Sequence, residues 1–266
     1  MNISRASRST VAGAVILLGF PATHYADAVL RFSSGATPAA IQGAVNQFRT
    51  ELGGGAKTIT WDENGLPMAP NKLSPNIFSA NGVGLSTPGI GLQVSSDNAA
   101  QAPVRFGNIN ANYSSIFQPF SGARMFTALD SPEVDVNFFM PGFPATSGYV
   151  NGFGAVFADV DFAGSTTIQF FDAGFNELYT GTVPASPNNG LSFLGVYFTS
   201  GEQVAHVIIN SGNAALGAGV LDGGGTDLVV MDDFIFGSVQ AVPEASSMAL
   251  FGMGALVLMS FRRWRK

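Results

Sequence analysis

The sequence predicts an all-β protein: a jelly-roll or β-sandwich body with one short N-terminal helix, an N-terminal signal segment and a single C-terminal hydrophobic helix. Three observations lead there. From about residue 90, short runs rich in Val, Ile, Phe and Tyr recur between Gly, Pro and Asn clusters, and the helical period disappears. Of 266 residues, 46% are hydrophobic and only 11% charged, so there is enough apolar surface for a large core. There is no Cys, which excludes disulfide staples and thiolate metal centres. No repeat of fixed period is visible, which argues against a propeller or solenoid.

The elements follow in order. Residues 1–28 have the layout of a secretory signal. Arg5 and Arg8 form a positive start, Ser9 to Pro21 is a short apolar run, and Ala26-Asp27-Ala28 is a small-x-small cleavage site, placing the mature start near Val29. Ala36 to Leu52 is the one clear helix. Thr37 can cap it, Pro38 suits its first turn, and Ile41, Val45, Phe48 and Leu52 share one face. Gly53-Gly54-Gly55 stops it, Lys57 to Trp61 is a short strand, and Pro67 to Pro88 is an ordered loop or linker. Residues 29–89 are thus expected to form a helix-and-loop region ahead of a sandwich spanning 90–240.

Within that body the expected strands are Val104 to Phe106, Val134 to Met140, Gly152 to Phe162, Thr166 to Phe171, Glu177 to Val183, Leu191 to Phe198, Val204 to Asn210 and Asp227 to Phe236. Glu133 to Phe138 alternates polar and apolar residues, as an antiparallel strand with one wet face requires. Phe153 to Phe162 and Leu191 to Phe198 are apolar on both sides, as central strands between layers should be.

Charge is unevenly distributed. The net charge is −6, which leaves no basic footprint for nucleic acid. Between Met125 and Phe261 there is no Lys or Arg, against thirteen acids. Uncompensated carboxylates raise one another's pKa or recruit a metal. Calcium takes oxygen ligands and needs neither His nor Cys, so it is the candidate cofactor. The candidate ligands are Asp159 and Asp161 with Asp232 or Asp233, and, in a Gly-rich loop, Asp222 and Asp227. None has EF-hand spacing.

Catalytic motifs are sparse. His24 lies in the signal, leaving His206 alone, and there is no Gly-x-Ser-x-Gly elbow. A site with several His is excluded. Glu133 and Asp135 share a strand face and keep a glycoside hydrolase or lyase as the alternative function. Their Glu-x-Asp-x-Asn pattern resembles part of the Glu-x-Asp-x-Glu strand of laminarinase-type glycosidases, with Asn137 in place of the last acid. Phe143 and Phe175, in Gly- and Pro-rich turns, are candidate ligand contacts.

The end of the chain completes the plan. Val242-Pro243-Glu244 precedes seventeen uncharged residues, Ala245 to Phe261, at the lower limit for crossing a bilayer, and then the basic cluster Arg262, Arg263, Arg265 and Lys266. This tripartite end, residues 241–266, resembles the PEP-CTERM sorting signal of Gram-negative bacteria, with Ala245 where the second Pro usually stands. The resemblance implies export and an exosortase partner. It also implies at least transient membrane contact through the terminal helix, residence in the cell envelope, at the surface or in the matrix, and association with extracellular polysaccharide. Segments around Ser34 to Asp62, Gly152 to Phe157 and Met231 to Phe234 are also similar to an uncharacterised jelly-roll-like group of exported bacterial proteins. The last strand is similar to that of laminin-G-like and carbohydrate-binding jelly rolls. The expected role is a non-catalytic adhesion or carbohydrate-binding module with calcium as a candidate stabiliser. A structural envelope component without a small ligand is the further alternative.

Overall fold

A computed structural model describes residues 27–243. The signal core with Ala26 lies outside the described residues, as do Glu244, the apolar terminal run and the basic cluster. The chain runs β1 (Ala28–Gly35), α1 (Pro38–Glu51), β2 (Lys57–Ile59), β3 (Val83–Ser86), β4 (Gly91–Ser96), β5 (Arg124–Leu129), β6 (Glu133–Met140) and β7 (Phe143–Tyr149). It continues through β8 (Gly152–Ala158), β9 (Thr167–Phe171), β10 (Glu177–Thr182), β11 (Leu191–Phe198), β12 (His206–Asn210), β13 (Val230–Phe236) and β14 (Gln240–Ala241). Among the described residues, no helix is long and apolar enough to cross a membrane.

Two antiparallel sheets form a sandwich. The first has the order β1-β11-β8-β13-β5-β4, with β2 paired to β13, and the second the order β10-β9-β12-β6-β7-β14, with β3 paired to β6. Phe126, Phe153, Phe234 and Phe236 of the first sheet face Val136, Phe138, Phe170 and Val207 of the second in a shared core.

The first sheet is covered on its other side too. Ile41, Val45 and Phe48 of α1, with Phe106, Tyr113 and Phe117 of the β4–β5 connection, bury Val156, Phe193, Val230 and Ile235. This explains why β8, β11 and β13 are apolar on both faces. Among the described residues, no such layer covers the outer face of the second sheet, so β6, β9 and β12 alternate buried and half-buried residues.

Several sequence expectations shift. Residues 29–89 are woven into both sheets: β1 lies along β11 from Ala28↔Phe198 to Gly35↔Leu191, β2 pairs with β13, and β3 pairs with β6 inside the predicted loop. Ala28, placed at the end of the signal, opens β1. Thr37 occupies the N-cap position by backbone conformation alone, without a side-chain hydrogen bond. Val104 to Phe106 is a single bridge to Ser96 rather than a strand, because Ser95 Oγ takes over the pairing. It donates to Pro103 O at 2.9 Å and accepts from Phe106 N at 2.8 Å. Such side-chain bonds explain β4, which looks polar in sequence yet buries Gln93, Ser95 and Ser96: Gln93 Nε2 donates to Asn108 Oδ1, and Ser96 Oγ accepts from Asn98 N.

Candidate functional site

Two places in the sandwich gather chemistry. The first is the bare outer face of the second sheet. Strand register puts Ser86, Asp135, Ile208, Gln169 and Thr180 in one row across five strands, and Glu133, Asn210, Thr167 and Thr182 in another. A third row, on the other side of the Asp135 row from Glu133, holds Gly84, Asn137, His206 and Phe171. Carboxylates, amides and hydroxyls therefore line a face on which no Lys or Arg stands.

An aromatic pair rises from this face. Phe175, in the β9–β10 turn, is 64% exposed and stacks on His206 with centroids 4.0 Å apart and planes 14° from parallel. Asp172 builds that turn: its Oδ1 accepts from Gly174 N at 2.8 Å and Asn176 N at 2.9 Å, and Asn176 Nδ2 donates to Oδ2 at 2.9 Å. The turn holds Phe175 at φ +59, a conformation costly for an aromatic residue and here fixed by its neighbours. His206 Nδ1 donates to Asn137 Oδ1 at 2.7 Å. Partial burial lowers the His206 pKa below its ordinary 6.5 against the opposing pull of Asp172 and Asp135, so the ring is neutral near pH 7. Although burial raises the Asp172 pKa, the bonds from Asn176 and Gly174 bring it below the ordinary carboxylate value. Beside Asn137, Asn76, Gly84, Ser86, Phe139 and Pro144 line a shallow depression of about 340 Å³.

Phe143 is 68% exposed, but it begins β7 rather than sitting in a turn, next to the Pro144 that lines the depression. Trp61, the sequence's one body Trp for stacking on a sugar, is fully buried. It stacks on Phe126 with centroids 4.0 Å apart and donates from Nε1 to Asp232 O at 2.8 Å, so it serves the core. Glu133 and Asp135 stand on the outer face as the alternation predicts, with Asp135 Oδ2 accepting from Ser86 Oγ at 3.3 Å. Asn137 and His206 were missed as a pair. The polar–apolar alternation of Glu133 to Phe138 places Asn137 outward, but only the register sets His206 beside it.

The second place is acidic. Asp159 and Asp161 lie just past β8 rather than on one side of a strand, with Asp159 at φ +70. Asp222 joins them: one carboxylate oxygen from each residue of the three lies within 4.8 Å of the others. Burial, with Asp161, Asp222 and Asp227 nearby, pushes the Asp159 pKa up to about 7 despite the bond from Asn189 N. Asp227 supports this group from behind, accepting from Asp161 N at 3.1 Å, Phe162 N at 3.3 Å and Ser165 Oγ.

Asp232 and Asp233 lie elsewhere. A bulge between Met231 and Phe234 interrupts the pairing of β13 with β8, and the two acids sit in it. Asp233 turns toward α1 to meet Arg49 at 2.7 Å and accepts from Ser121 Oγ, while Asp232 Oδ2 accepts from Phe120 N at 2.7 Å. The six candidate ligands therefore divide into two groups on different parts of the first sheet.

The end of the chain is decided by family comparison: residues 241–266 match the family model of the PEP-CTERM protein-sorting motif. The chain carries a PEP-CTERM motif. It is thereby an exported, exosortase-sorted bacterial protein. Of the PEP-CTERM motif, the described residues include Ala241, which ends β14, together with Val242 and Pro243. No curated protein sequence matches the chain. Among solved structures, it is similar to a Streptococcus pneumoniae fucose binding module at 13% identity and a TM-score of 0.24, over 55% of this chain and 89% of that one. It is also similar to a mutant of the lectin binding domain of Lectinolysin complexed with Lewis b, at 12% identity and a TM-score of 0.25, over 63% of this chain and 99% of that one. Likeness at this level carries no inference about what the present chain binds.

Proposed function

We propose that the protein is a non-catalytic module of the cell surface or extracellular matrix that holds uncharged polysaccharide on the outer face of its second sheet. The exposed Phe175 ring, stacked on His206 and braced by the Asp172 turn, carries this reading. A sugar ring presents apolar C–H faces and a rim of hydroxyls. An exposed aromatic surface receives the first, and amides and carboxylates such as Asn137, Gln169 and Asp135 receive the second. The absence of Lys and Arg from this face disfavours sulfated or uronic-acid polymers, whose charge Asp135, Glu133 and Asp172 would repel.

Affinity electrophoresis of the purified full chain through gels containing neutral or acidic polysaccharides tests this. The expected result is retardation by one or more neutral polymers and none by acidic ones, with retardation abolished in Phe175→Ala and reduced in Asn137→Ala. Retardation in no gel, or unchanged retardation in Phe175→Ala, would overturn it and favour a structural envelope role. New reducing ends that disappear in Glu133→Gln would replace it with the hydrolase reading.

A further inference from the structure

We propose that Asp159, Asp161 and Asp222 form a calcium site where the chain leaves β8 and meets the loop before β13. The inference is independent of the polysaccharide reading, which concerns the other sheet.

Two separate observations carry it. One is convergence: the three acids, over sixty positions apart in sequence at the extremes, bring carboxylate oxygens within 4.8 Å of one another. Oxygens sharing one calcium, each about 2.3–2.6 Å from it, fall in that range. The other is an unsatisfied buried atom. Asp159 is fully buried; its Oδ1 accepts from Asn189 N at 2.6 Å, whereas Oδ2 is closed to solvent and has no hydrogen-bond partner. An orphaned carboxylate oxygen in a protein interior is costly unless a cation or proton meets it.

Among the described residues, no cationic side chain acts on Asp159 or Asp161. None of the ion pairs among the described residues involves these acids, and the sequence has no Lys or Arg between Met125 and Phe261. Asp222 uses Oδ1 to accept from Leu228 N at 3.0 Å, leaving its second oxygen available. Both oxygens of Asp227 are occupied by Asp161 N, Phe162 N and Ser165 Oγ, which makes it a positioning residue. Three carboxylates, with backbone carbonyls and water completing the shell, are the hard oxygen donors that calcium takes in flexible geometry.

Thermal melting of the purified full chain in EDTA, in millimolar calcium and in millimolar magnesium tests the site. Calcium should raise Tm by several degrees over EDTA and magnesium should not, because a ligand held only by the native state stabilises it by mass action. Asp161→Asn and Asp222→Asn should each abolish the rise, while Asp135→Asn on the other sheet should keep it. Asp159→Asn gives a crossed result. It retains the Oδ1 that accepts from Asn189 and removes the uncompensated charge, so it should melt above the parent in EDTA and below it in calcium. No calcium-dependent rise, or a rise surviving in both Asp161→Asn and Asp222→Asn, would overturn the site. A rise matched by magnesium would overturn its assignment to calcium.

Discussion

Gly195 leaves room for Phe48: a Cβ built on Gly195 would stand 2.7 Å from Cδ2 of the Phe48 ring. Gly154, its partner across the β11–β8 pair, is similarly close at 2.9 Å to Cε1. The pair of glycines makes a notch in the outer face of the first sheet, and α1 lowers its largest side chain into it. Gly195→Ala should therefore destabilise the protein by about 1–3 kcal/mol through overpacking. Phe48→Ala should cost about 3–5 kcal/mol by leaving a cavity. Urea denaturation of the double variant should give less than the sum, because the added methyl occupies part of the space the ring vacates.

Arg49 ties the same helix to the bulge in β13. Its guanidinium is about one-third exposed, whereas Asp233 is fully buried, and removing Arg49 takes away its cationic partner while Ser121 Oγ stays. Arg49→Ala should cost about 3 kcal/mol in chemical denaturation, the lower end for breaking a buried pair, because the cation retains some contact with water. Arg49→Ala with Asp233→Asn should recover part of that loss. An unchanged midpoint in Arg49→Ala would show that the contact contributes nothing net.

His206 should report the electrostatics of the second sheet. Its pKa is lowered chiefly by burial, so the folded protein favours the neutral ring. The associated stability is fully present above 6.5 and is lost as pH falls through the folded value. An imidazole NMR titration should place its midpoint below 6.5. Asp172→Asn should move the midpoint lower still, because the Asp172 charge raises it. A midpoint at or above 6.5 would contradict this account of the ring's environment.

What could be read in advance follows from how local each signal is. The α1 stripe of Ile41, Val45 and Phe48 and the alternation of Glu133 to Phe138 are periodicities, and each element appears where its period runs. β3, β4, β5 and β7 were hidden for separate reasons. β3 is four residues inside a Pro- and Asn-rich stretch, and β4 has buried polar side chains satisfied by the Pro103–Asn108 segment. β5 has no alternation because its second face is covered, and β7 starts beside Gly142 and includes Pro144.

The candidate sites show the same limit. Phe175 stands out in sequence because an aromatic in a turn has few local uses. Its partnership with His206 required knowing that β9 and β12 are neighbours. In sequence, Asp159 and Asp161 group with Asp232 or Asp233, and Asp222 with Asp227. Strand order brought Asp222 to Asp159, and a bulge sent Asp232 and Asp233 toward α1.

The last strand bears on how the protein withstands tension. β14 has only two residues, paired through Gln240↔Tyr149 and Ala241↔Gly148, with Val242 N donating to Ser147 O at 3.1 Å. The sorting motif begins at Ala241 itself, the last residue of β14. A load applied to the chain through the sorting motif would therefore reach β14 and its few bonds first. Because β14 is the end strand of the second sheet, such a load would fall first outside β6, β9 and β12, the strands of the face proposed to grip polysaccharide.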